Sequence, residues 1–264
     1  MMLCQVGSIE DIKKYHLKGY IAQEKKDGCR CLAICSGEFV TLKGRTGTDY
    51  TSKFPEVVEE LKGFVGVLDG EIMCDTFEHT SSRVHTENKL KGRLLAEQYP
   101  SKLSVFDLIE VNNQDIRHLP QLERLKLLWK CLQDKRYVVK LPFSYDLVDM
   151  WEKAVKNAWE GIIIKNLNGK YEEKRSWNWI KIKKEVTRDI LVDKYTLNSA
   201  GIRAEGEGLA VQITGSNSQI VKNKIDTTGS CKIEVKGLEI TENNKIRQIV
   251  FKDIKDSDSC KGVN

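Results

Sequence analysis

Apolar positions along this chain switch between the period of two of a half-buried strand and the three-and-four spacing of a helix. Ser8 followed by Asp11 has the spacing of a capped start and predicts a short helix through Lys14. GYIAQEK (19–25) reads as a strand, and CRCLAICSGEFVTLK (29–43) as a hairpin turned at Ser36-Gly37. FPEVVEELK predicts a helix with Pro55 in its first turn, GVLDGEIM a strand, ENKLKGRLLAEQY a helix and LSVFDLIEV another strand. LPQLERLKLLWKCL and YDLVDMWEKAVKNAW carry clear amphipathic helical patterns, and the strands EGIIIKNL and WIKIKK follow.

The character changes after Lys184. Short β-like runs (ILVDKYTL, LAVQIT, CKIEVKGLEI, IRQIVFKDI) alternate with turn signals, and no long helical pattern appears. Strands of this kind over residues 185–264 suit a small all-β barrel of the oligonucleotide-binding (OB) type. The predicted organisation is therefore an α+β domain over 1–184 followed by an OB-fold barrel over 185–264.

Composition narrows the class. With 40% hydrophobic and 31% charged residues the 264-residue chain is that of a globular protein with a sizeable core. No run of about 18 apolar residues occurs, and MMLCQVGSIEDIKK lacks the build of a secretory signal, so an intracellular, cytoplasmic protein without membrane association is expected. Eight cysteines do not form a disulfide scaffold in a chain this long. Cys29, Cys31 and Cys35 share one strand face and read as buried thiols, since no CxxC pair or nearby histidine completes a metal site. The net charge of +5 is unevenly placed: residues 185–264 hold 12 basic and 12 acidic side chains, so the whole excess lies in the first 184. That distribution points to a polyanionic partner.

Lys25 and Lys26 bear on what that partner undergoes. On a continuing strand they face opposite ways, so one task falls to one of them, and Asp27-Gly28 turns the chain so that Arg30 approaches Lys25. K-x-D-G-x-R from Lys25 is the motif of covalent nucleotidyltransferases. GRTG (Arg45), LDGE (Asp69 to Glu71), VFDL (Phe106), EGIIIK (Glu160 to Lys165) and WIKIKK (Trp179 to Lys184) follow in order. Alone, EGIIIK reads as a buried strand with charged ends and WIKIKK as an amphipathic edge strand. As an ordered set over residues 19–184 they resemble the ATP-dependent DNA ligases, in particular small phage, archaeal and bacterial types.

The resemblance implies a nucleotidyltransferase (ATP-grasp-like ligase adenylation) domain with an OB-fold, ATP and Mg²⁺ (with Mn²⁺ as a substitute) as cofactors, and monomeric action on nicked duplex DNA. It implies Lys25 as the nucleophile that carries AMP, Phe106 stacked on adenine, and Gln23 near the base's exocyclic amine, where many relatives carry Glu. Glu24, Arg30, Arg45, Glu71, Lys165, Lys181 and Lys183 complete the nucleotide site, with Glu71 and Glu160 for metal and Arg30, Arg45 and Lys183 also toward DNA. Lys26 is left as a surface residue or general nucleic-acid contact, and the cationic Asn88–Gln98 stretch as a backbone contact or a solvated helix. The family's closing arginine-rich element is altered: Arg247 fits, but Lys255 stands for an arginine and Asp258 for a lysine, which implies either a weaker grip on the pyrophosphate leaving group or its replacement by Lys222, Lys224 or Lys252. Competing readings are an RNA ligase or mRNA-capping guanylyltransferase-like enzyme, and a non-catalytic DNA-binding protein.

Overall fold

In the computed structural model the chain divides into two compact units, Met1–Lys183 and Lys184–Asn264. The structure describes residues 1–237, 239–240, 245–247 and 249–255. Among them no helix is long and apolar enough to cross a membrane.

The strands of the first unit are β1 (Leu3–Val6), β2 (Tyr20–Glu24), β3 (Cys29–Ser36), β4 (Phe39–Gly44), β5 (Val65–Met73), β6 (Lys102–Val111), β7 (Gln114–Asp115), β8 (Val138–Lys140), β9 (Phe143–Ser144), β10 (Gly161–Asn166) and β11 (Arg175–Lys183). Its helices are α1 (Ile9–Tyr15), α2 (Pro55–Leu61), α3 (Phe77–His85), α4 (Lys89–Gln98), α5 (Gln121–Cys131) and α6 (Leu147–Lys156). One sheet runs β1-β11-β10-β2-β9, and the other β4-β3-β5-β6-β7 with β8 against β6.

Strand alternation gives the first sheet two unlike faces. Ala22, Ile162, Ile164, Ile180 and Ile182 pack beneath it on Ile12 of α1 and on Leu147, Met150 and Ala154 of α6. The intervening residues Gln23, Ile163, Lys165, Trp179 and Lys181 all line a cavity. The second sheet buries Cys31, Ala33, Cys35 and Leu42 against Val57 and Leu61 of α2 and Leu125 and Leu128 of α5. The hairpin of β3 and β4 turns through Gly37 at φ 79°, a conformation glycine adopts without strain. Burial pushes the Cys29 thiol up to about 11 and the Cys35 thiol to about 12, which leaves them protonated and unreactive.

FEHTSSRVH carries weak helical propensity and no regular apolar stripe, yet it forms α3. Thr76 caps it by accepting from the His79 N–H at 3.1 Å. Its buried Arg83 donates to Glu56 at 2.6 and 3.0 Å and to the Tyr99 carbonyl at 2.8 Å. A charged side chain thus fixes this helix where apolar periodicity does not.

The second unit contains β12 (Val186–Val192), β13 (Lys194–Asn198), β14 (Gly201–Gly206), β15 (Leu209–Thr214), α7 (Ser216–Thr228), β16 (Cys231–Gly237), β17 (Glu239–Ile240), β18 (Ile246–Arg247) and β19 (Val250–Ile254). Sheets β12-β16-β19 and β13-β14-β15 share a core that includes Ile190, Val192, Ile202, Val211, Ile213, Ile233 and Val235. Two sequence expectations are corrected here. ILVDKYTL is two strands in different sheets, parted at Asp193. The 13-residue helix α7 stands where no long helix was expected. Its Ser, Asn and Thr content mimics a turn, and Val221 and Ile225 are the residues it buries, four apart. Gly229 at φ 81° closes it in the left-handed conformation.

Candidate active site

Strand β2 ends at Glu24, so alternation does not extend to the two lysines that follow. The expectation that Lys26 faces away from Lys25 is corrected: both line the same cavity, of about 420 Å³. The Lys25 N–H donates to the Gly161 carbonyl at 3.0 Å, which ties the turn to β10. The Lys25 amine pairs with the Glu160 carboxylate, whose other oxygen is 3.0 Å from Lys183 Nζ. Lys26 Nζ lies 2.6 Å from Glu24 Oε2. Two glycines make this approach possible. A Cβ on Gly28 would collide with the Ile72 carbonyl, and one on Gly161, at φ 150°, with the Ile182 carbonyl.

Gln23 closes one side of the cavity. Its Nε2 donates to the Leu141 carbonyl at 3.0 Å, which leaves Oε1 buried without a hydrogen-bond partner among the described residues. Phe106 and Trp179 meet edge to face with centroids 5.8 Å apart. The Lys165 amine sits 4.1 Å from the Trp179 centroid and 4.6 Å from that of Phe106 and donates to the Phe106 carbonyl at 2.9 Å. Burial pushes its pKa down to about 8, against the opposing pull of Asp107 and Asp69. Trp179 is held in turn by a buried relay. Its Nε1–H donates to Gln121 at 2.7 Å, Arg124 donates to Gln121 at 3.0 Å, and Arg124 pairs with fully buried Asp107 at 2.9 Å.

Arg30 grips Asp69 with two donors at 2.5 Å and lies 4.8 Å from the Phe106 centroid. Tyr171 donates to the same Asp69 at 2.8 Å and accepts from the Met2 N–H at 3.1 Å. Burial pushes Glu71 up to about 7, with Glu160 and Asp69 adding to the rise and Lys25 and Arg30 opposing it. Glu71, which lines the cavity, and Glu160, joined to it through Lys25, repel each other and suit a bound cation, and Mg²⁺ is commonly held by one or two carboxylates together with substrate phosphates. Among the described residues no group of three or more His, Cys, Asp or Glu could hold a metal unaided.

The cavity thus brings together Gln23, Glu24, Lys25, Arg30, Arg45, Glu71, Phe106, Lys165 and Lys181, with Glu160 and Lys183 joined to it through Lys25. Burial lowers the Lys181 pKa, and Lys183 and Lys25 add to the effect. Arg175 and Trp179 also line the cavity, and their parity with Lys181 along β11 was a readable signal for both. Tyr50 and Leu141 line it too, without any motif that marks them. In the second unit Lys255 Nζ is 2.9 Å from Glu234 Oε2. Arg247 is described for its backbone in β18, and Asp258 lies outside the described residues.

The family model for the ATP dependent DNA ligase domain matches residues 1–183. The bifunctional non-homologous end joining protein LigD of Bacillus subtilis is 32% identical over 189 residues, which cover 60% of this chain and 30% of that protein. The probable DNA ligase of Dictyoglomus turgidum is 30% identical over 195 residues, covering 68% and 33%. The chain spans about a third of the length of these curated relatives. A solved structure from a study of Lig E DNA ligases, titled as DNA binding with a minimal scaffold, shares the fold with a TM-score of 0.68 at 16% identity, covering 97% of this chain and 98% of that one. A family match over well more than half of the chain identifies it as a member of the ATP-dependent DNA ligase family.

Proposed function

We propose that the chain seals nicks in duplex DNA through a lysyl-AMP intermediate. The observation that carries this reading is the Lys25 amine, paired with Glu160 in a cavity where Arg30, Arg45, Lys165 and Lys181 converge. The lone pair of neutral Lys25 Nζ attacks the α-phosphorus of ATP. An N–P bond forms, the bond to pyrophosphate breaks, the nitrogen releases a proton to solvent, and AMP stays on the enzyme as a phosphoramidate. The 5′-phosphate of a nick then takes the AMP and frees Lys25. Attack by the 3′-hydroxyl expels AMP and forms the phosphodiester.

The residues fit ATP on one specific ground: the partnerless Gln23 Oε1 offers an acceptor to the exocyclic amine of adenine, while Leu141 fixes the amide's orientation. Phe106 would stack on the base. Lys165, Lys181 and Lys183 would hold the phosphates as charge develops on them. Glu71 and Glu160 would hold Mg²⁺, which when bound supplies positive charge at the triphosphate. Arg45, exposed and lining the cavity, would reach DNA. The second unit's order of four strands, a helix and further strands around one core supports reading it as an OB-type barrel, and Arg247 and Lys255 are the residues proposed to act on the leaving group.

The test is incubation with α-labelled ATP or GTP and Mg²⁺, followed by sealing of nicked duplexes of DNA, RNA or hybrid strands. ATP labelling that Lys25→Ala abolishes and Lys26→Ala retains, with sealing of nicked DNA, is the expected result. Labelling by GTP alone would mean a capping-type enzyme, and none by either a binding protein.

A further inference from the structure

Lys165 is 1% exposed, and an ammonium taken out of water needs compensation. Among the described residues its partners are the Phe106 carbonyl and the faces of Trp179 and Phe106, with no carboxylate in ion-pair contact. The nearer face belongs to Trp179, the ring type that attracts a cation most strongly. Arg30 approaches the same ring to 5.4 Å. Such a contact depends on the ring's angle, because the face of an aromatic ring is negative and its edge positive.

The indole's angle is fixed by Gln121, 58 residues away in the chain. Trp179 Nε1 and the Arg124 guanidinium can only donate, so the atom of Gln121 that meets both is its oxygen, at 2.7 and 3.0 Å. The cost falls on the other side of the amide, where Nε2 is buried without a hydrogen-bond partner among the described residues. Turning the amide over would not relieve it, since the amino group would then face two donors. The Gln121 backbone is pinned as well: its N–H donates to the Gly169 carbonyl at 2.9 Å, which Arg124 also reaches at 3.1 Å. Asp107, fully buried, takes two donors of Arg124 at 3.0 and 2.9 Å. An amide at position 121 therefore accepts from the indole without adding a charge to the balanced Arg124–Asp107 pair.

We infer that Gln121 is a positioning residue: by aiming the Trp179 ring it keeps Lys165 a cation held on aromatic faces, with no ion pair for an arriving phosphate to break. The arrival of a phosphate rests on the nucleotide reading given above, whereas the hold on Lys165 does not. The charged and titratable groups that act on Lys165 from other strands are Asp107 of β6, Asp69 of β5, Arg30 of β3 and Cys4 of β1. Asp107 is tied to Arg124 and Asp69 to Arg30, and burial pushes the Cys4 thiol up, which leaves it neutral near pH 8.

Nuclear magnetic resonance of the full chain with ¹³C-labelled lysine, the Lys165 signal assigned through Lys165→Arg, tests the inference. Gln121→Leu should lower the pH midpoint of the Lys165 titration by about one unit, the tenfold loss expected when a desolvated cation–π contact fails. Gln121→Met, closer in shape, takes its place if the leucine variant does not fold. Gln121→Glu keeps an acceptor for the indole and should hold the midpoint at or above the parent's. With a one-unit shift the charged fraction drops about fivefold at pH 8 and less than about twofold at pH 6.5. The KM for ATP in self-labelling, as the ratio of variant to parent, should rise by the same factors, with kcat kept within about twofold. Glu71, which titrates near 7 in both proteins, cancels in that ratio. An unchanged midpoint in the folded leucine or methionine variant, or an equal fall in Gln121→Glu, would overturn the positioning role. A shifted midpoint with the same KM ratio at both pH values would overturn the link to phosphate. A parent that takes no label, with the midpoint shifted as expected, would remove the nucleotide reading and leave the hold on Lys165 standing.

Discussion

Replacing Asp69 with alanine tests how the cavity wall is held. The Asp69 carboxylate is fully buried and takes two donors from Arg30 at 2.5 Å and one from Tyr171 at 2.8 Å. Breaking a buried ion pair by truncating one partner costs about 3–5 kcal/mol, because the other charge stays buried without compensation. Arg30 keeps 15% of its side-chain surface exposed and can turn toward the cavity, so the lower end applies, about 3 kcal/mol. In a unit of this size each kcal/mol moves the melting point by roughly 2–4 °C, and a fall of about 6–12 °C follows. Calorimetry of the full chain would measure it. Tyr171→Phe, which removes one neutral donor, should cost about 1 kcal/mol. The double variant Asp69→Leu with Arg30→Met removes both charges and should melt above Asp69→Ala. A fall of under about 2 °C for Asp69→Ala, or a double variant no better than the single, would refute this account of the wall.

Gln23→Leu removes the partnerless acceptor and the donor to Leu141 together, and should raise the KM for ATP about 10- to 100-fold, with labelling restored at saturating ATP; an unchanged KM would show that Gln23 does not meet the base. Lys165 is cationic below its pKa of about 8, so phosphate affinity should decline as pH rises through 8, read as a climbing KM for ATP that Lys165→Arg flattens. Its effect on stability has the opposite sign. The penalty for burying the charged amine is complete below about 8 and is relieved as pH rises toward 10.5, the ordinary lysine value, so melting temperature should gain over that window. Gly28→Ala should impair labelling at least tenfold, because its Cβ would push the turn off the Ile72 carbonyl; near-normal rates would mean that the turn adapts. Lys255→Ala should slow the reaction with ATP more than the sealing of pre-adenylated DNA, and equal slowing of both would oppose a role at the leaving group.

Residues whose chemistry is local in sequence were legible, and those that depend on long-range company were not. The ordered motifs EGIIIK and WIKIKK pointed to Lys165 and Lys181, and both line the cavity with Trp179, which shares Lys181's strand face because strand geometry is fixed residue by residue. The same rule misplaced Lys26, since it holds only while the chain remains a strand, and β2 stops at Glu24. Nothing around Leu141 marks it, because its part is played by a carbonyl, which every residue has. Asp69 reads as part of a turn until Arg30 and Tyr171 arrive from 39 and 102 residues away. Helix α7 hid for a different reason: a helix on a small core needs few apolar positions, too few to set a period.

The parallel pairing of β1 with β11 carries a consequence for biosynthesis. Leu3 and Cys4 line the same cavity as Trp179 and Lys181, at opposite ends of the first unit. A nascent chain can form the β3–β4 hairpin and the α5–β6 packing early, because their partners are close in sequence. It cannot assemble the cavity until β11 has left the ribosome and closed a loop of nearly the whole unit, a step of high contact order and correspondingly slow. Fragments ending before β11 are therefore expected to fold in part without completing the cavity, so that on the proposed function they take up no nucleotide.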